Sequence, residues 1–113
     1  MKVNISNHGL STEQLNILRN ILLPFSKQIE SVGLFGSRAT GFYRPNSDID
    51  IVIYGSLDEK TLDRIFTLLN DSNLPVKVDV QSYDLITYPP LKEHIDANML
   101  LLFTHDQFEE KLL

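Results

Sequence analysis

Three aspartates stand where that residue type is least at home. Asp48 and Asp50 open the apolar segment Ile51-Val52-Ile53, and Asp79 sits among the valines of Val76 to Gln81. Aspartate is depleted in strands because it has little to pack on a pleated, half-buried surface. Residues two apart in a strand project to one face, so the carboxylates of Asp48 and Asp50 point together. If the segment Val76 to Gln81 pairs alongside, Asp79 joins them. Three carboxylates within about 4–6 Å repel, and their pKa values rise unless a cation sits among them. Oxygen-only clusters suit Mg²⁺, which takes one or two carboxylates and completes its shell with water and substrate phosphates. Two such ions activate an attacking oxygen and stabilise a departing pyrophosphate.

A second group lies upstream. Ten residues separate Gly36-Ser37 from Asp48, and Gly36-Ser37 directly follows an apolar segment. Glycine lets a phosphate come close to the backbone, serine adds a hydroxyl, and a following helical turn adds unpaired N–H groups. A triphosphate anchored there has its α-phosphorus near the carboxylates. Arg38 and Arg44 are candidate charge partners for its oxygens.

The elements that must position these groups follow from periodicity. Ser11 with Gln14 three residues on forms a capping box, and Leu15, Leu18, Ile21, Leu22 and Phe25 recur at helical spacing, which predicts a helix over 11–23 ended by Pro24. Ile29 to Phe35 reads as a strand, "SRAT" as a short helical turn, and "GFYRPNS" as a loop, in which Ser47 bonds locally to turn backbone. "DIDIVIY" reads as a second strand. A helix follows in "SLDEKTLDRIFTLLNDSN", with Leu62, Ile65, Phe66 and Leu69 on one face. Val76 to Gln81 alternates as a third strand. Tyr88-Pro89-Pro90 starts a short helix to about Asn98. "MLLLF" is apolar without a decisive period and reads as core or a packing strand, and the tail "THDQFEEKLL" has helical character. His8, His94 and His105 are read as structural or solvated. Strands interleaved with helices place the chain in the α/β (α+β) class: a small mixed sheet flanked by helices.

The 113 residues suffice for one compact domain over 1–113 and not for two. Ten Lys and Arg against fifteen Asp and Glu give a net charge of −5, with no basic run. That balance disfavours nucleic acid as substrate, because such binding draws on neutralised phosphates. There is no cysteine, which excludes thiolate chemistry and disulfides. No apolar run reaches the ~20 residues that span a bilayer, and the N-terminus lacks a signal peptide's apolar stretch. The expected compartment is the cytoplasm.

Gly36-Ser37, ten residues, Asp48-x-Asp50 and a later strand aspartate, Asp79, together resemble the signature of the DNA polymerase β-type nucleotidyltransferase superfamily. The chain is similar to its minimal nucleotidyltransferases, the MntA-like group, over roughly Val32 to Gln81. The resemblance implies that Asp48, Asp50 and Asp79 bind Mg²⁺ and that Gly36 and Ser37 hold the nucleotide. It also implies that Asp79 helps activate an acceptor hydroxyl. It further implies transfer of AMP from ATP to a tyrosine of a HEPN-domain ribonuclease toxin, for which such proteins serve as antitoxins. Two other functions compete: an antitoxin that acts by binding alone, and nucleotidylation of a small molecule. Chain length favours the protein acceptor, since there is no second domain to hold a small one. Nucleobase, acceptor and oligomeric state (homo- or hetero-oligomer) are left open.

Overall fold

The computed structural model describes residues 8–109. The signal-peptide reading, on residues 1–7, and the end of the helical tail, on 110–113, lie outside the described residues. The elements are α1 (Thr12–Leu22), a 3-10 helix (Leu23–Gln28), β1 (Ile29–Phe35), α2 (Ser37–Thr40) and β2 (Ile49–Gly55). They continue with α3 (Glu59–Asn70), β3 (Val78–Ser82), a 3-10 turn (Tyr83–Leu85), α4 (Pro89–Asn98), β4 (Leu100–Thr104) and α5 (His105–Glu109).

Local chemistry sets these boundaries. Ser11 caps α1 as the sequence indicates: its Oγ accepts from Gln14 N at 3.1 Å, and Gln14 Oε1 accepts from Ser11 N at 2.9 Å. Pro24 cannot donate to a continuing α-helix, and the chain tightens there into the 3-10 segment. Asp58 caps α3 by accepting from Thr61 N at 2.8 Å.

The sheet has the order β3-β2-β1-β4. β1 is antiparallel to both β2 and β4, whereas β2 and β3 run parallel. A parallel pair needs a crossover, and α3 supplies it. Side chains on β2 alternate faces. Ile49, Ile51 and Ile53 join Val32, Leu34, Val78 and Val80 in the main core beneath α1 and α3, where Leu18, Leu22, Ile65 and Leu69 are buried. Val52 faces the other way, into a smaller cluster with Phe35, Ile86 and Ile95 beneath α4. Phe66 does not follow its helical partners inward; it stays 39% exposed on α3. The ambiguous "MLLLF" becomes mostly the edge strand β4, because β1 offers it a free ladder. No helix among the described residues is long and apolar enough to cross a membrane.

The third strand starts two residues later than the sequence indicates, at Val78. The cause is Asn70 at the end of α3. Its Oδ1 accepts from Val78 N at 2.9 Å, while its Nδ2 donates to Val78 O at 2.9 Å and to Phe66 O. One carboxamide thus stands in for a ladder partner and fixes where Asp79 begins its run. Asn70→Ala is expected to lower the unfolding free energy by about 1–2 kcal/mol, read by urea denaturation. An unchanged midpoint would show that the clamp contributes nothing.

Candidate functional site

Parallel pairing of β2 with β3 puts Asp50 directly beside Asp79. Asp50 alternates with the inward isoleucines, so its carboxylate lies on the α4 face of the sheet. Asp48 stands just before the strand and is exposed, while Asp50 and Asp79 are half-buried. The first rung of the ladder, Ile49 N to Lys77 O at 2.9 Å, ties the two strands together at this end. Gln81, two residues along β3, reaches Asp79 Oδ2 with its Nε2 at 3.4 Å.

Asp50 carries the electrostatic signature of the arrangement. Its pKa is raised from 3.8 to about 6, by burial first and then by the charges of Asp79 and Asp48, against opposition from Arg38 and His94. Asp50 therefore feels both of the other aspartates. Among the described residues, no three His, Cys, Asp or Glu side chains form a ready-made metal cage. A Mg²⁺ ion does not need one, since it binds through one or two carboxylates with water and phosphate oxygens. A half-buried carboxylate that is held above its ordinary pKa by two others is the donor chemistry that such a cation relieves.

Gly36 is packed against this group. It has φ 73° and ψ −153°, a conformation essentially restricted to glycine. A Cβ added to it would overlap Asp50 Oδ2. The two halves of the sequence pattern therefore touch: the glycine of the Gly36-Ser37 pair is the surface on which the second aspartate rests. Ser37 begins α2 and is partly open. The α2 turn closes with Gly41 N on Ser37 O at 3.0 Å.

Arg38 is placed differently from the sequence expectation of a phosphate partner. Its side chain is buried, 4% exposed. Nη1 donates to His8 O at 2.9 Å, and Nη2 donates to Ser47 O at 3.0 Å and, more weakly, to Pro45 O at 3.4 Å. The guanidinium also lies over the Tyr43 ring at 5.1 Å. The segment before α1 and the irregular loop between α2 and β2 leave carbonyls outside the regular ladders, and the rigid fork of arginine collects them. Burial lowers the Arg38 pKa, partly countered by Tyr43 and Asp50. Arg44 remains exposed, and its backbone N–H donates to Ser47 Oγ at 2.7 Å, the local bond anticipated for that serine. Arg38→Lys is expected to destabilise the fold by about 2–3 kcal/mol, because lysine cannot reproduce the fork. Arg44→Lys should stay within about 0.5 kcal/mol. Parallel thermal melts distinguish the two, and equal shifts would remove the structural role assigned to Arg38.

One residue of the site escaped the sequence reading. His94 on α4 accepts a hydrogen bond from Gly36 N at its Nε2, 3.1 Å away. Its ring meets Phe35 edge-on, with centroids 6.3 Å apart. The signal was available: Leu91, His94, Ile95 and Asn98 share one helical face, so a histidine and an asparagine lie on the stripe that packs against the sheet. His8 fits the structural reading, being buried with its Nδ1 accepting from Leu10 N at 3.0 Å. His105 Nδ1 lies 3.0 Å from Ile29 O at the far end of β1.

Known proteins share this fold. The chain is similar in structure to one described as a toxin-antitoxin with AMP-PNP, at 22% identity and a TM-score of 0.67, over 86% of this chain and 82% of that one. It is likewise similar to one described as the toxin-antitoxin MntA-HepT, at 20% identity and a TM-score of 0.64, over 88% and 78% of the two chains. At those identities the likeness concerns the fold. The model of the family described as "Polymerase beta, Nucleotidyltransferase" matches residues 17–108, a span that includes the loop, the three aspartates and α4. With that match over most of its length, and with Gly36, Asp50 and Asp79 brought together as the pattern requires, the chain belongs to the polymerase beta nucleotidyltransferase family and is a nucleotidyltransferase.

Proposed function

We propose that the chain is a Mg²⁺-dependent enzyme that moves AMP from ATP to a hydroxyl group of a partner protein. The partner is a HEPN-domain toxin for which this chain is the antitoxin, in the cytoplasm. The observation that carries the reading is the contact of Asp50 with Gly36 beside Asp79, which sets a phosphate-anchoring loop against a carboxylate group within one site. The partner class is supported by the fold shared with proteins described as toxin-antitoxin structures, one of them with AMP-PNP.

In this reading Gly36 and Ser37 hold the triphosphate, with exposed Arg44 adding charge at the rim and Arg38 keeping the loop in shape from behind. Asp48, Asp50 and Asp79 hold Mg²⁺, as two ions. When bound, the metal offsets the charge of the phosphates and lowers the pKa of the attacking hydroxyl. Asp79 accepts the hydroxyl proton. The oxygen forms its bond to the α-phosphorus, the bond from that phosphorus to the bridging oxygen of the β-phosphate breaks, and pyrophosphate leaves with the electron pair.

Incubating the protein with α-labelled ATP, Mg²⁺ and the product of the adjacent reading frame tests this. Label should appear on the partner and vanish with Asp48→Asn plus Asp50→Asn. Absence of label on the partner, or label that survives the double substitution, would overturn the reading. Neutralisation of the toxin by the double variant without any label would assign the function to binding alone, and label on an aminoglycoside would move the acceptor to a small molecule.

A further inference from the structure

We propose that His94 is a positioning residue for the transfer reaction, holding the Gly36–Ser37 loop at the spacing from Asp50 that the reaction uses; this rests on the nucleotidyltransferase reading above. The hydrogen bond from Gly36 N to His94 Nε2, at 3.1 Å, links residues 58 positions apart. Gly36 is the N-cap of α2, and its N–H has no partner inside that short helix. The imidazole supplies one.

The ring is itself fixed on three sides. Phe35 packs on it edge-on. The Asn98 side chain lies 3.3 Å from Nδ1 and 3.1 Å from the His94 carbonyl oxygen. The helix beneath it is anchored by Ile95, which is fully buried against Phe35 and Val52. Asp50 Oδ2 in turn rests where a Cβ of Gly36 would be. Any movement of Gly36 along the His94 bond therefore changes the room left for the carboxylate. His94 touches no reacting atom in this arrangement; it acts through Gly36, and through Gly36 on Asp50. Small displacements of groups that orient phosphates have large effects on rate.

The chemistry required is an acceptor of imidazole reach. Glutamine offers one in Oε1, whereas phenylalanine keeps the ring shape and offers none. In the free protein, the Gly36 amide of His94→Phe is expected to exchange its hydrogen about tenfold faster than in the wild type, with His94→Gln restoring protection. With ATP, Mg²⁺ and the partner protein, His94→Phe should lower kcat about tenfold while KM for ATP moves less than about threefold. His94→Gln should recover most of kcat. Equal protection of Gly36 in the phenylalanine variant would overturn the proposal, as would equal impairment of the two variants. If the wild type transfers nothing, it is the functional reading that fails, and the amide exchange still decides whether His94 positions the loop.

Discussion

Asp50→Asn is expected to abolish nucleotidyl transfer, by about 10³-fold or more, while making the ligand-free protein more stable near neutral pH. The two effects have one cause. In the folded chain the Asp50 carboxyl titrates at about 6, against 3.8 in an ordinary setting, because burial and the neighbouring Asp79 and Asp48 disfavour its charge. A carboxyl whose folded pKa is raised favours folding fully below its unfolded pKa, and that contribution is lost as pH rises through its folded pKa. The window is therefore about pH 4 to 6, with stability falling as pH rises across it. The full shift corresponds to ~3 kcal/mol. The group is only half-buried, so solvent screening reduces this to about 1–2 kcal/mol. Asparagine has a similar shape and no charge. Its advantage in urea denaturation should be about 1–2 kcal/mol at pH 7.5 and should fade near pH 4. Mg²⁺ should raise the melting temperature of the wild type and leave Asp50→Asn nearly unmoved. A variant less stable than wild type at pH 7.5, or one that keeps a tenth of the transfer rate, would remove Asp50 from the role assigned here.

Gly36→Ala is the counterpart on the other half of the site. Its backbone, at φ 73° and ψ −153°, is strained for any residue with a Cβ, at a cost of about 1–3 kcal/mol. The methyl group would also overlap Asp50 Oδ2. Something has to shift: the carboxylate turns away from Asp79, or the loop lifts from His94. Either motion separates the groups that the reaction needs together. A loss of about 2–4 kcal/mol in stability and at least about 100-fold in transfer is expected. Gly36→Ala combined with Asp50→Gly would relieve the overlap and recover part of the stability, the backbone strain remaining, without recovering transfer, because the carboxylate is gone. If Gly36→Ala alone transfers at the wild-type rate, the close approach has no functional consequence.

Most of the architecture was legible because local and global signals agree. The Ser11 capping box, the Pro24 stop, the seven residues of β1 and the "SRAT" turn lie where periodicity and cap chemistry put them. The carboxylate group was legible for a similar reason, since aspartates in apolar strands conflict with burial unless a ligand resolves the conflict. What stayed hidden depends on tertiary partners. The start of β3 is set by Asn70, a residue on a different element, and no strand propensity reports that. Phe66 has helical spacing with Ile65 and Leu69, but the width of the buried stripe is decided by how α3 sits on the sheet. Arg38 has the chemistry of a phosphate ligand and also that of a carbonyl collector, and the stranded carbonyls of His8, Pro45 and Ser47 decide between them. His94 is separated in the chain from the loop it touches by β2, α3 and β3, so its bond to Gly36 belongs to the fold and not to the motif.

The parallel pairing of β2 with β3 governs the order in which the site can come into being. Gly36 is synthesised shortly before Asp48 and Asp50, and the antiparallel β1–β2 pair can form from residues 29–55 alone. That early ribbon lacks Asp79. Val78–Ser82 can dock and bring Asp79 against Asp50 once α3 has crossed over, and α4 with its imidazole lies later still in the chain. Contacts so distant in sequence form late, because the chain entropy lost in closing them must be met first. The carboxylate group is thus a property of the finished sheet: a nascent chain halted before β3 carries the whole glycine-serine and double-aspartate pattern and lacks Asp79 beside Asp50.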